Sequence, residues 1–358
     1  MQKPSGALII EADEPTGTDE PVLRLGECPC CGHEELRSML PPELASDNSL
    51  HRLLDETSGI RFSGFDLHAN AKSDWSVCEY CALMFARNRP SPARLAEWYP
   101  VLFQISEERN YNTAQLPQKY LEGKKRSGEK LFKLLDKHGI FAGARSLIQF
   151  RTGPGFFPYA ARQAYPHLDV YGLEYFEHPA NHAAKLLGSD RVARISEPEP
   201  SHSFDAGPFD VIVANHFLTH AHEPRKFLEY LRSILGDNGT LVLMNEIDHA
   251  LSFQSMKAYS RGLNFFHKQL FTRDTLASFV GSCGFTATDI SAEPDGKKPK
   301  EITLLCRKAP PAAPPRGRPS EASALFRAWR RKSRLYSKLR FVIDPSLKLI
   351  RTTTGGSR

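Results

Sequence analysis

Three sets of side chains in this sequence have the types and spacing that chemistry requires. Cys28 and Cys31 stand in CPCCGH, and Cys78 and Cys81 in CEYC. Each pair puts two thiolates on one tight turn, and four sulfurs close a tetrahedral shell around zinc with no open position, the pattern of a structural site. Cys30 and His33 are alternative ligands within the first knuckle, and four separate reduced cysteines are the other reading. A thioredoxin-like redox role is disfavoured, because neither CxxC follows a strand and opens a helix. The second set is Gly153, Gly155 and Glu174. Glycine at a strand-to-helix turn lets a ligand approach the backbone and the helix N-terminus. Glu174 lies 19 residues beyond Gly155, near the spacing at which an acid bonds a ribose diol. The third set is histidine: His216 and His220 stand one helical turn apart, and an imidazole titrates near neutrality, as proton transfer needs.

The elements that must position these groups follow from the apolar pattern. Residues 145–174, RSLIQFRTGPGFFPYAARQAYPHLDVYGLE, read as strand, glycine turn, helix and strand, with Glu174 closing the second strand. Arg151 occupies the first glycine position of a full G-x-G-x-G, and Gln149 stands where an acid is usual, so an ordinary α/β turn is the alternative reading. FDVIVA (209–214) is a β-branched buried strand ended by Asn215 and His216. Pro224 to Leu235 reads as a helix, Asp237-Asn238-Gly239 as a turn, and Thr240 to Met244 as another strand. Strands alternating with helices imply an α/β, Rossmann-like, doubly wound, mostly parallel sheet whose ligand crevice lies at the carboxyl ends of the strands.

With these residues in view, the chain resembles the class I S-adenosylmethionine-dependent methyltransferases over roughly residues 120–307. The resemblance is carried by the GPG turn, Glu174, FDVIVANHFLTH, EPRKFLEYLRSILGDNGTLVL and FFHKQLFTRDTLASFVGSCGF. It implies S-adenosylmethionine as cofactor, with the glycine loop (Gln149, Gly153, Gly155) on its methionine part, Glu174 on its ribose, and Asn215 and His216 beside it after the fourth strand. An acid after the third strand, Glu197 or Glu199, would meet the adenine amine. A zinc module ahead of such a domain further resembles bacterial enzymes that methylate nucleotide-linked deoxysugars. Their Tyr-His-Glu-His segment is matched here by Asn264, Phe265, Phe266 and His267, so His267 carries over as a base while the Tyr and Glu do not. His220 competes for the same role. Carbon methylation is thereby disfavoured, whereas transfer to oxygen or nitrogen needs one positioned base.

Charge separates the chain into two parts. The whole carries +6, but residues 309–358 hold twelve Lys or Arg against Glu321 and Asp344, a net of +10 that leaves the rest near −4. The organisation expected is a flexible N-terminus (1–22), a zinc-ribbon-like module (23–90), a helical connector (91–140), the cofactor-binding domain (141–308), a Pro-rich linker (309–320) and a basic amphipathic tail (321–358). In the tail Leu325, Trp329, Tyr336, Leu339 and Ile343 share one helical face, and Arg327, Arg330, Arg331, Arg334 and Lys338 the other. Such a helix, over residues 321–343, could lie on an anionic membrane, grip nucleic-acid phosphates or pack on protein. Seven cysteines, with neither a signal peptide nor a long apolar segment, point to a reducing cytoplasm, with the inner membrane face as a possible contact.

The function expected is methyl transfer to a small polar acceptor, a sugar, nucleotide-linked sugar or glycan precursor, with a structural zinc elsewhere. RNA methylation is the alternative enzyme reading; the acidic body and the Asn-His-Phe-Leu that ends the fourth strand stand against it. A degenerate methyltransferase fold serving as a scaffold is the non-enzyme alternative, raised by Gln149 and Arg151.

Overall fold

Residues 8–10, 22–38, 60–62, 65–66, 75–91, 116–195, 204–247, 267–291 and 301–313 are described by a computed structural model. Short strands fill the N-terminal part: β1 (Leu8–Ile10), β2 (Val22–Arg24), β3 (Leu36–Ser38), β4 (Ile60–Phe62), β5 (Phe65–Asp66), β6 (Trp75–Cys78), β7 (Met84–Ala86) and β8 (Asn88–Pro90). Within the stretch expected to be flexible, β1 pairs parallel with β4. Helix α1 (Gln118–Lys137) falls inside the expected helical connector. Then come β9 (Ser146–Phe150), α2 (Phe156–Ala164), β10 (Asp169–Glu174), α3 (Glu177–Leu187), β11 (Val192–Arg194), β12 (Phe209–Asn215), α4 (Pro224–Ile234), β13 (Leu235–Ile247), β14 (Gln269–Leu270), α5 (Arg273–Ser282), β15 (Phe285–Asp289) and β16 (Glu301–Lys308).

The main sheet has the order β11-β10-β9-β12-β13-β16-β15. From β11 to β13 all pairs are parallel, and β16 runs antiparallel to both its neighbours. The chain steps outward from β9 to β11, returns to lay β12 against β9, and then builds the other way. Loops after β9 and β12 therefore diverge, and this switch point opens a crevice at their carboxyl ends.

Strand alternation sends successive side chains to opposite faces. Leu147, Val211 and Val213 join Leu135, Phe141, Phe157 and Val170 on one side, while Ile148, Phe150, Ile212 and Ala214 meet Phe227, Leu228, Leu231 and Phe279 on the other. Cys28, Cys78, Cys81, Leu83 and Phe85 belong to this second core. The cysteine module thus shares its core with the sheet. Strand β14 pairs with β7, extending a small sheet of order β14-β7-β6-β3. Arg89, 1% exposed, donates to the carbonyls of Ala86, His222 and Lys268 and to Gln269 Oε1, bolting the two parts together.

Strand β13 differs from the sequence reading. It begins at Leu235 and runs through Asp237-Asn238-Gly239, where a turn was expected; its pairing with β12 jumps from Phe209↔Leu235 to Val211↔Thr240, so the extra residues form an irregularity within the strand. Glu197, Glu199, Asn264–Phe266, residues 314–320 of the linker and the basic tail lie outside the described residues. Among the described residues no helix is long and apolar enough to cross a membrane.

Candidate active site

The turn after β9 lines a cleft of about 470 Å³ together with Asn215, Met244 and residues of α1 that include Lys124, Ser127 and Leu131. Gln149, Arg151, Thr152 and Gly153 all face it. Gln149 is buried, and its Oε1 accepts from the Thr152 hydroxyl at 3.1 Å. Gly153 has φ +58°, and nothing lies within 4 Å of where a Cβ would stand. Its backbone is therefore reachable from the cleft. Gly155 serves packing instead: it has φ +85°, and a Cβ there would lie 2.9 Å from Ala183 on α3. Arg151 also takes a left-handed conformation, φ +58°, and its Nη1 donates to the His216 carbonyl at 2.9 Å. That bond ties the β9 turn to the β12 turn across the switch point.

Glu174, at the end of β10, is buried. Its Oε2 accepts from the Gly153 amide at 2.6 Å, and its Oε1 from the Tyr175 and Phe176 amides at 2.9 and 3.2 Å. Burial pushes its pKa up, against the three amides and the Arg151 charge, which pull it down. One carboxylate thus fixes the glycine turn while Oε2 keeps a lone pair for a further donor.

The structure brings His216, His220 and His267 together. Their ring centroids lie 4.8 Å (216–220), 4.9 Å (220–267) and 5.3 Å (216–267) apart, and His216 Nε2 stands 3.3 Å from His267 Nε2. His216 has φ +53°, held by its amide's bond to the Met244 carbonyl at 2.7 Å. Glu246, fully buried at the end of β13, accepts from the amides of Phe217, Leu218 and Thr219 and from the Thr219 hydroxyl. Gln269 Nε2 donates to the carbonyls of Leu218 and Ala221, and the Lys268 amide to that of Thr219. These bonds dock the 217–221 turn against the segment that leads from His267 into β14.

The four cysteines of the two knuckles also converge. Their sulfurs all lie within 4.8 Å of one another, with Cys28–Cys81 and Cys31–Cys78 each at 3.6 Å. Zinc–sulfur bonds of about 2.3 Å set tetrahedron edges of about 3.8 Å, so this donor set fits the ion. Burial raises the Cys28 thiol and bonds from its neighbours raise Cys81, whereas bonds from Cys28 lower Cys31 and Cys78. Cys30 is buried nearby with its carbonyl accepting from Arg225, and His33 packs edge-on against Tyr80; neither belongs to the sulfur cluster.

A methyltransferase domain family matches residues 106–290, more than half of the chain. The chain belongs to this methyltransferase family. It is an S-adenosylmethionine-dependent methyltransferase with a Rossmann-like class I fold. Solved structures that it is similar to include an O-methyltransferase family protein from Burkholderia thailandensis (16% identity, covering 63% of this chain and 78% of that one, TM-score 0.43). Others are a Nostoc punctiforme protein described as an O-methyltransferase (14%, 51% and 56%, TM-score 0.41) and human N-acetylserotonin methyltransferase in complex with S-adenosylmethionine (12%, 61% and 57%, TM-score 0.38). The methyltransferase spans little more than half the length of the Nostoc and human proteins. Comparison with curated proteins finds no match.

The cleft has open space at the Gly153 backbone, with Asn215 on the same lining, and Glu174 stands behind it on the Gly153 amide. Three residues of this methyltransferase escaped the sequence reading. Glu246 and Arg89 lie outside the quoted motifs, Gln269 sits inside FFHKQLF without a role of its own there, and all three act on backbone far away in sequence. Glu246 left one signal, an acid two residues after the apolar run TLVLM.

Proposed function

We propose that the methyltransferase acts on a hydroxyl or amine of a sugar-type acceptor, a sugar or a nucleotide-linked sugar or glycan precursor, with His267 or His220 as the base. The observation that carries this reading is the cluster of imidazoles on the turn that Arg151 links to the glycine loop. S-adenosylmethionine, when bound, supplies an electrophilic methyl group on a sulfonium. Gln149, Gly153, Asn215 and the His216 backbone are assigned to its methionine side, with Gly155 shaping the turn that presents them, Glu174 Oε2 to one ribose hydroxyl, and Glu197 to the adenine. A ring nitrogen of His267 or His220 takes the acceptor proton, while the docked turns hold the imidazole in place and so lower the entropic cost of bringing the groups together. The sugar class is supported by the pairing of a cysteine module with this domain.

Cys28, Cys31, Cys78 and Cys81 are assigned a structural zinc, on the fit of their sulfur spacing. Residues 321–343 are assigned to contact with an anionic membrane surface from the cytoplasmic side, on their basic and aromatic faces. Liposome binding that survives deletion of residues 320–358 would remove that assignment.

Calorimetric titration of S-adenosylmethionine and S-adenosylhomocysteine, followed by an acceptor screen with sugar nucleotides, tests the main reading. Binding that weakens by about 10-fold or more in Glu174→Ala, with the loss of one good hydrogen bond, is expected. Binding of neither compound would overturn it.

A further inference from the structure

We propose that His216, His220 and His267 form a second metal site, separate from the cysteines, which takes a divalent transition-metal ion and leaves coordination positions open. The site itself stands on geometry; its part in catalysis rests on the methyl transfer proposed above and takes the place of the histidine base in it.

Distances favour a common ligand. The His216 and His267 Nε2 atoms are 3.3 Å apart, and two imidazoles bonded to one ion at about 2.0–2.1 Å with a tetrahedral angle have nitrogens about 3.3–3.4 Å apart. The ring centroids form a nearly equilateral triangle of 4.8, 4.9 and 5.3 Å. An ion in line with the three ring nitrogens stands about 3.2 Å from each centroid and holds them about 5.2 Å apart. A direct imidazole–imidazole hydrogen bond or edge-on ring packing also gives such spacings; what a shared ion adds is the convergence of donors, one nitrogen of each ring lying within 4.8 Å of the other two.

The donor set selects the ion. Three imidazoles with no carboxylate suit zinc, cobalt, nickel or copper rather than magnesium or calcium. Three protein ligands leave a fourth position for water or a substrate oxygen, the mark of a catalytic rather than structural site. Charge is consistent with a cation. The buried Glu246 carboxylate lies under the turn that carries His216 and His220. Arg151 directs Nη1 to the His216 carbonyl. Backbone geometry is also fixed before any ion arrives: His216 is held at φ +53°, and Gln269 and Lys268 clamp the turn against the segment that follows His267.

An imidazole nitrogen that ligates an ion has no lone pair left for a proton. In the loaded protein the acceptor hydroxyl binds the open position, and its proton leaves to solvent at a pH nearer neutrality than that of the free hydroxyl. The base role of His267 or His220 then passes to the ion.

The test is cobalt(II) titration of the full-length, metal-stripped protein, followed by absorption spectroscopy and elemental analysis, with His216→Asn and His220→Gln alongside. Asparagine tolerates the left-handed conformation at 216, and melting curves check that both variants fold. The expected result is a bound cobalt lacking thiolate charge-transfer absorption, in addition to any thiolate-bound equivalent. Each variant should weaken it beyond the roughly 10–100-fold that outer-shell changes cost. Absence of this cobalt in the unaltered protein, or its survival in both folded variants, would overturn the site. S-adenosylmethionine titration of the same samples separates the two readings: cofactor binding without the second cobalt sinks the metal site alone, and the second cobalt without cofactor binding sinks the proposed function alone.

Discussion

Arg151 occupies a conformation that glycine adopts without strain, at the position where the cofactor-loop motif carries glycine. A left-handed non-glycine residue costs roughly 1–2 kcal/mol. Against that cost stands the bond from its guanidinium to the His216 carbonyl at 2.9 Å, worth about 1.5 kcal/mol for a charged donor that is half-buried. Arg151→Gly relieves the strain, loses the bond, and adds roughly 0.5–1 kcal/mol of unfolded-state freedom, a net loss of about 0.5–1 kcal/mol. Arg151→Ala loses the bond and keeps the strain, a net loss of about 1.5 kcal/mol. The glycine variant should therefore be the more stable of the two, by roughly 0.5–1 kcal/mol or about 2–4 °C per kcal/mol in melting temperature. In ordinary strand or helix positions alanine wins by a similar margin. Urea unfolding of both variants measures the difference, and an alanine variant as stable as the glycine one would refute the left-handed assignment and the strain argument built on it.

Arg151→Gly also removes a bulky cation from the cleft, so the same protein should bind S-adenosylmethionine more tightly, as calorimetry would show. Lys268 is fully buried, and desolvation together with the Arg89 charge lowers its pKa to about 7. The folded state then holds fewer protons than the unfolded one between the folded and unfolded values. The stabilisation this gives is complete above the unfolded value, about 10.4, and is lost as pH falls through 7. Lys268→Met should flatten the rise of stability between pH 7 and 10 seen for the unaltered chain in denaturant titrations. Glu246→Gln removes the charge that collects three amides and a hydroxyl. It should destabilise by roughly 1–3 kcal/mol and lower turnover more than cofactor affinity, because the turn it holds carries the histidines. Chelation of the cysteine site should lower the melting temperature, and re-addition of zinc should restore it.

Much of the sheet was legible because its strands are buried on both faces and read as short apolar runs between turn residues. SLIQF and FDVIVA became β9 and β12 with ends displaced by a residue at most, and Glu174 closes β10 as its place after VYGL suggests. The Asp237-Asn238-Gly239 turn was misread because these residues do not separate helix from strand: pairing to β12 holds at Leu235 and resumes at Thr240, so the turn signal became an irregularity inside one strand. Histidines 216 and 220 were legible from their position after a strand. Their meeting with His267 required the docking of two chain segments through Gln269, which periodicity does not encode. Arg89 and Glu246 were invisible for the same reason: each bonds backbone that only the fold brings near.

Strand β14 is two residues long and starts two residues after His267, and its ladder partner β7 starts three residues after Cys81. The cysteine cluster and the histidine cluster are thus joined by a span of chain and ladder too short to flex independently. In thermodynamic terms they share a folding unit, so free energy gained by ordering the knuckles also narrows the range of positions open to His267. A module far from the cofactor loop in sequence becomes part of the preorganisation of the histidine cluster, and agents that loosen it should disturb that cluster before any global unfolding.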